Sequence, residues 1–279
     1  MTAGAVQGVL DGMPRRLYAC TPTRLTTWLD CPRRYRFSYL DRPAPPKGPP
    51  WAHTGLGTSV HTALASWWRL PRRQRTPRRG AALVREGWVQ EGYRDAEQSE
   101  QVRERAAGWV RDYLAGVDPA AEPLGVERTV SAPTAALVLS GRVDRLDERP
   151  DGSVAVVDYK TGRTPTGDDD ARASLALAVY AVAAARTLRR ACAVVELHHL
   201  PTGTIAAAAH TPESLARKVS EAESIARDAR AADEAYAAGD AGDGRFPARA
   251  SALCSWCDFR RMCPDGRAAA PERNPWSAV

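Results

Sequence analysis

The 279-residue chain lacks an apolar run of about 18 residues, the minimum for a membrane-spanning helix. Its opening residues, MTAGAVQGVLDGMPRRL, lack the apolar centre of an export signal, so the expected location is the cytoplasm. Thiols stay reduced there. The sequence has no G-x-x-x-x-G-K-[ST] loop and so no nucleotide-driven motor of its own; any helicase is a separate partner. It has no internal repeat, which excludes a solenoid. It is also nearly without lysine. Lysines stand only at 47, 160 and 218, and arginine supplies the rest of the 39 basic residues. Lysine is a compact charge whose pKa can be tuned, whereas arginine stays charged. In so arginine-rich a chain, Lys160 marks a position where arginine would not serve.

What is present is an ordinary globular composition, 44% hydrophobic, with a formal net charge of +6. The charge leans toward an anionic partner such as nucleic acid, although acids and bases are mixed along the chain. Residues 1–20 read as a loose arm. Residues 21–40 carry a Thr cap signal and helical apolar spacing, and 42–50 form a Pro-rich loop. Helices are expected at 57–68 and 101–117, with a basic stretch at 69–79 between them that reads as a loop. A β region follows, then a helix over about 169–188, a hairpin turning at Pro201-Thr202-Gly203, and a long charged helix at 212–238. The tail after 266 is expected to fray. This order predicts an α/β or α+β core.

The stretch SGRVDRLDERPDGSVAVVDYKTG holds the chemistry. Pro150-Asp151-Gly152 is a turn signal between two strands. A hairpin centred on Asp151 sets Asp144 opposite Asp158, with Cβ atoms about 4.5–5.5 Å apart. Alternation along the strand puts Asp158 and Lys160 on one face. Two carboxylates this close repel unless a cation sits between them. Oxygen donors favour Mg²⁺ or Mn²⁺, and a lysine beside the cation suits phosphodiester hydrolysis. The competing reading of the same residues is a surface hairpin with an Asp–Lys ion pair.

GRVDRLD followed by VVDYKTG resembles the signature of the PD-(D/E)XK nuclease superfamily in its RecB-like branch, and GTSVHTAL is similar to that branch's first motif. The resemblance spans residues 21–265. It implies a single nuclease domain with a restriction-endonuclease-like core at about 55–210, an α/β fold with a mixed central sheet between helices. It implies that His61, Asp144, Asp158 and the Tyr159 carbonyl hold the metal, with Lys160 catalytic. Glu127 in GVERTVS matches an acidic residue that often precedes the second motif. Tyr180 matches the tyrosine of that branch's Gln-x-x-x-Tyr, but Ala176 replaces the glutamine.

Of six cysteines, Cys254, Cys257 and Cys263 crowd into CSWCDFRRMC. With Cys31 they make a thiolate quartet of the kind that holds zinc or an iron–sulfur cluster. The RecB-like resemblance chooses a [4Fe–4S] cluster, because one subgroup has this arrangement: CRISPR-associated RecB-like nucleases and the AddB nuclease domain. Such a cluster would join the N- and C-terminal segments. Cys20 and Cys192 read as ordinary thiols. In CPRRYRFSYL, arginines alternate with Tyr35, Phe37 and Tyr39. This pattern suits either phosphate binding with base stacking or an amphipathic helix with its aromatics in the core.

The expected activity is that of a metal-dependent DNA exonuclease on single strands or DNA ends, in repair and recombination. CRISPR spacer processing and a non-catalytic iron–sulfur DNA-binding module are the alternatives.

Overall fold

The computed structural model describes residues 17–279. Residues 1–16 of the expected arm lie outside the described residues, while Tyr18–Cys20 of the same segment form a strand, β1. The other strands are β2 (Gly125–Pro133), β3 (Leu137–Glu148), β4 (Val154–Lys160), β5 (Cys192–His199) and β6 (Thr204–Ala209). They form one mixed sheet in the order β1-β3-β4-β5-β6, with β2 on the other edge of β3. β1 runs parallel to β3 and β4 parallel to β5; the remaining pairs are antiparallel. This is the mixed sheet between helices that was expected. Among the described residues, no helix is long and apolar enough to cross a membrane.

The β3–β4 hairpin has the predicted register. Arg145 faces Val157 and Glu148 faces Val154. Asp151 accepts from the Ser153 amide at 2.9 Å, and Gly152 takes φ +80°, a conformation that suits glycine. Val154–Val157 are fully buried, as expected of a central strand covered on both faces.

β3 is longer than its partners, and this shapes the site. One edge pairs with β2 along most of its length. The other edge is shared: β1 takes Leu137–Leu139 and β4 takes Arg145–Glu148. Residues 140–144 on that edge have no strand partner, so the sheet opens a slot beside Asp144.

Helices cover both faces. On one face lie α3 (Ala52–Arg69), α4 (Pro77–Glu86) and α5 (Ala96–Ala115). Leu56, Val60, Leu64, Trp67 and Trp68 recur at helical spacing on α3 and pack on Val157 and Tyr159. The helix ends before Pro71, where the residue ahead of a proline leaves the α region. On the other face lie α1 (Pro22–Asp30), α6 (Asp168–Ala173), α7 (Leu175–Leu188) and α8 (Pro212–Ala237). Small alanines let α7 lie close to the sheet.

Four local expectations are corrected. The helix expected over 21–40 is two, α1 and α2 (Pro32–Tyr39), because Pro32 forces Cys31 into an extended conformation, φ −167°. The helix expected over 169–188 likewise breaks at Ser174, whose side chain caps α7. The basic stretch 69–79 is not a loose loop: it enters α4, and Arg75 is buried on the carbonyls of Leu70, Pro119 and Ala121. The tail is packed too. α9 (Pro264–Ala269) follows Cys263, Ala52 donates its amide to the Pro275 carbonyl, and Val279 packs against the α3–α5 core.

Tyr35 and Phe37 of α2 are buried, while Arg33 pairs with Asp243 and Asp265 and Arg36 bonds the Ala241 carbonyl. The amphipathic reading of this segment therefore holds.

A buried polar network ties β3, β4 and β5 together on the α5 face. Arg145 donates to the hydroxyls of Tyr113 (3.0 Å) and Tyr159 (2.9 Å) and pairs with Asp147 (2.8 Å). The Tyr113 hydroxyl then donates to His198 Nδ1 at 2.8 Å, which leaves the His198 Nε2 proton for Glu196 at 3.0 Å. Burial first, then the Arg145 charge, push His198 down to about 4. The charges of Asp147 and Asp158 pull the other way but do not outweigh burial. Between the ordinary value of 6.5 and about 4, only the unfolded chain takes up the proton. Stability should therefore fall as pH falls through that window, by on the order of 3 kcal/mol, and flatten below it. Urea titrations at stepped pH should show this slope, and His198→Gln should remove it. An unchanged slope in the variant would assign the effect elsewhere.

Candidate metal centre

The slot beside Asp144 is the floor of a cleft of about 640 Å³ lined by α3, β2, β3 and Tyr180 of α7. Three elements converge on it. His61 projects from the polar side of α3, and its Nδ1 lies 3.2 Å from Asp144 Oδ2. Asp144 also accepts the Tyr159 amide at 2.9 Å, a side-chain bond where the β3–β4 ladder stops. Glu127 comes from β2. His61, Glu127 and Asp144 each offer a ligand atom within 4.8 Å of the others, the one such group of three among the described residues.

Glu127 reaches this position through an unusual backbone. Its φ is +49°, in the left-handed region. That costs a non-glycine residue roughly 1–2 kcal/mol. Both strands change face here. Val126 joins the α3–α5 core, whereas Val130, four residues on, joins the α7 core. Val143 joins the α7 core, whereas Arg145 meets Trp68 and Tyr159 on the other side. The ladder interruption at Glu127 and Asp144 therefore aims both carboxylates into the cleft.

Asp158 stands beside this group but outside its 4.8 Å limit. Its Oδ2 is 2.6 Å from Lys160 Nζ and is otherwise closed off without a donor. Lys160, 43% exposed, reaches solvent at the strand end. The Tyr159 ring points to the far face, into the Arg145 network, while its backbone lies in the β4–β5 ladder. The Tyr180 ring lies against Gly141, where a Cβ would come within 2.4 Å of it. Ala176 sits one turn earlier on α7.

The electrostatics are those of a site short of positive charge. Burial raises Glu127, and the Asp144 charge adds to it. Burial likewise raises Asp158, against the pull of Lys160. Burial, then the charges of Asp158 and Asp144, push Tyr180 up to about 12. Burial opposes a charged His61, but the hydrogen bond and charge of Asp144 outweigh it and move His61 upward. Three carboxylates, one imidazole and a strained glutamate backbone suit a divalent cation better than they suit a metal-free hairpin.

Sequence reasoning named His61, Glu127, Asp144, Asp158, Lys160 and Tyr180, and the fold brings all six to one cleft or its rim. It missed Arg142, which pairs with Glu127 at 2.8 Å, and Gly141, whose missing side chain makes room for Tyr180. Both sit inside the GRVD stretch, two and three residues ahead of Asp144.

The four predicted cysteines converge at a second place, a pocket also bounded by Arg33, Phe37 and Gly266. The break at Pro32 turns Cys31 toward the C-terminal segment. Backbone amides of Arg249, Ser251 and Gly266 donate to the sulfurs of Cys31, Cys254 and Cys263 at 3.5, 3.5 and 3.3 Å. No three of these sulfurs lie within 4.8 Å of one another. Cys20 and Cys192 are buried elsewhere, and burial pushes their thiols up to about 11 and about 12.

The sequence profile of the PD-(D/E)XK nuclease superfamily matches residues 19–264, nearly the whole chain. The chain belongs to that superfamily. No curated protein matches it.

Glu127→Gln removes a crowded charge and an ion pair to Arg142, whose side chain is 71% exposed and so adds little stability. The metal-free variant should melt about 2–4 °C higher, from relief worth about 1 kcal/mol. It should also lose most of the stabilisation that Mn²⁺ gives the parent. Thermal melts with and without Mn²⁺ check both. A lower melting point with an undiminished Mn²⁺ response would make Glu127 a structural partner of Arg142.

Proposed function

We propose that this nuclease-superfamily chain is a Mg²⁺- or Mn²⁺-dependent DNA exonuclease with a structural [4Fe–4S] cluster, acting on single strands or DNA ends in repair and recombination. The observation that carries the reading is the convergence of His61, Glu127 and Asp144 next to the Asp158–Lys160 pair. Asp144, His61 and Glu127 would hold the cation, with Asp158 and the Tyr159 carbonyl as the neighbouring donors. When bound, the cation lowers the pKa of a water and offsets phosphate charge.

The protein's own residues do the rest. Asp158 pairs with the Lys160 ammonium and fixes its position at the cleft rim. From there the ammonium orients the attacking water and meets the charge that develops on the phosphate. The Tyr159 amide holds the Asp144 carboxylate in place. Tyr180, raised to about 12, keeps its proton at neutral pH and offers a hydroxyl to the substrate at the cleft wall.

The four-cysteine arrangement of the resembling subgroup favours a cluster over zinc, and backbone amides directed at three of the sulfurs suit one. The cluster would hold α2 to the 254–263 segment as a clip, and its four-cysteine pattern is what favours the RecB-like branch and hence exonuclease action.

Anaerobically purified protein should degrade end-labelled single-stranded DNA with Mn²⁺ and be inert with EDTA. Lys160→Ala should lose on the order of 10²–10⁴ in rate while still binding Mn²⁺. The preparation should carry iron and sulfide, and Cys31→Ser should lose them. Internal cuts on circular single strands would overturn the exonuclease reading. Zinc in place of iron would overturn the cluster.

A further inference from the structure

An aromatic cluster lies farther along α3 from the cleft. His53, Gly57 and His61 are spaced four residues apart, so they follow one edge of the helix. Gly57 faces the hydroxyl of Thr161, the residue after Lys160. His53, one turn earlier, is exposed and meets the half-buried Trp256 edge to face, with ring centroids 5.7 Å apart. Trp51, at the helix start, lies 5.2 Å from Trp256 and 5.9 Å from His53. The Trp51 indole nitrogen is satisfied by Asp258 at 3.0 Å, which fixes the ring. Trp256 sits between two of the four cysteines, so the cysteine lobe supports it.

Arg273 covers Trp256, its guanidinium 5.0 Å from the ring centroid. Among the described residues Arg273 has no carboxylate partner; its charge is spent on the indole face. Lys47 and Arg261 flank the cluster with side chains about two-thirds exposed, in loose surface pairs with Asp258 at 3.8 Å and Glu272 at 3.5 Å. Neither the metal centre nor the cysteine cage uses these residues. Planar rings bordered by exposed cations are what single-stranded nucleic acid needs: bases stack on the rings and phosphates meet the cations. The Arg273 guanidinium occupies the face a base would take, and on leaving it becomes free for a phosphate.

We propose that Trp256, Trp51 and His53, capped by Arg273, form a base-stacking platform for single-stranded DNA. The eight residues from His53 to His61 span about 12 Å of helix. At a stacked spacing of about 3.4 Å, the stacked base lies roughly three nucleotides from the phosphate at the metal centre. The inference rests on the nuclease reading for its substrate, but its test reads binding alone.

The test uses the full-length protein in EDTA and single-stranded 12-mers carrying one 2-aminopurine, moved position by position from the end. Fluorescence should drop several-fold at one or two consecutive positions and little elsewhere. His53→Ala, a change at an exposed helix position, should weaken binding several-fold and reduce that drop. Trp256→Ala should abolish the drop and weaken binding about tenfold, and Trp256→Phe should restore it. Uniform fluorescence along the strand, or a positional drop that survives both alanine variants, would overturn the platform. A protein that cuts single strands with Mn²⁺ but stacks no position sinks the platform and leaves the nuclease reading intact. Positional stacking without cleavage supports the platform and sinks the nuclease reading.

Discussion

The Tyr159 amide gives its hydrogen to the Asp144 carboxylate, and the rest of the site depends on that bond. A regular hairpin would pair this amide with a backbone carbonyl and bury the carboxylate's surroundings. Here the β3–β4 ladder stops at Arg145 and Val157, and a side chain takes the place of the next rung. The parting of the strands opens the slot, turns Asp144 toward His61, and leaves Asp158 and Lys160 at its edge. On the far face Arg145 grips the hydroxyls of Tyr113 and Tyr159. The residues next to the site are thus clamped from behind, where the buried polar network is fully partnered and rigid.

Much of this was legible in the sequence because it is local. The Pro150-Asp151-Gly152 turn sets the hairpin register, and strand alternation puts Asp158 and Lys160 on one face. The strain at Glu127 was not legible: nothing in GVERTVS marks a left-handed residue, and the conformation is imposed by the two sheet faces that meet there. Nor was the slot along β3, since it arises from β1 and β4 sharing one edge across more than a hundred residues of sequence. Pro32 could have been read as a helix break, because the residue before a proline resists the α region. That break is what delivers Cys31. The arginine run at 69–79 misleads for a different reason: Arg75 is buried on carbonyls that only the fold brings near.

The two ends of the domain meet around the cysteines, and the same lobe carries Trp256. A cluster held there would do more than staple the chain, because it would set the position of an aromatic cluster along the helix that holds His61. His61 and His53 share one structural reference, the α3 helix, whose apolar side is locked by Trp67 and Leu64. The near absence of lysine elsewhere fits this arrangement. Arginine serves most ion pairs and stacked contacts, and Lys160 stands where a compact ammonium faces a carboxylate at the cleft rim.

The central claim is that the crowded carboxylates hold a divalent cation. Anomalous diffraction from a crystal soaked in Mn²⁺ tests it most directly. The account predicts one strong peak between His61, Glu127 and Asp144, on the side of Asp158, and no such peak in Asp144→Asn. A peak bound only elsewhere, or none at a concentration that supports cleavage, would contradict it.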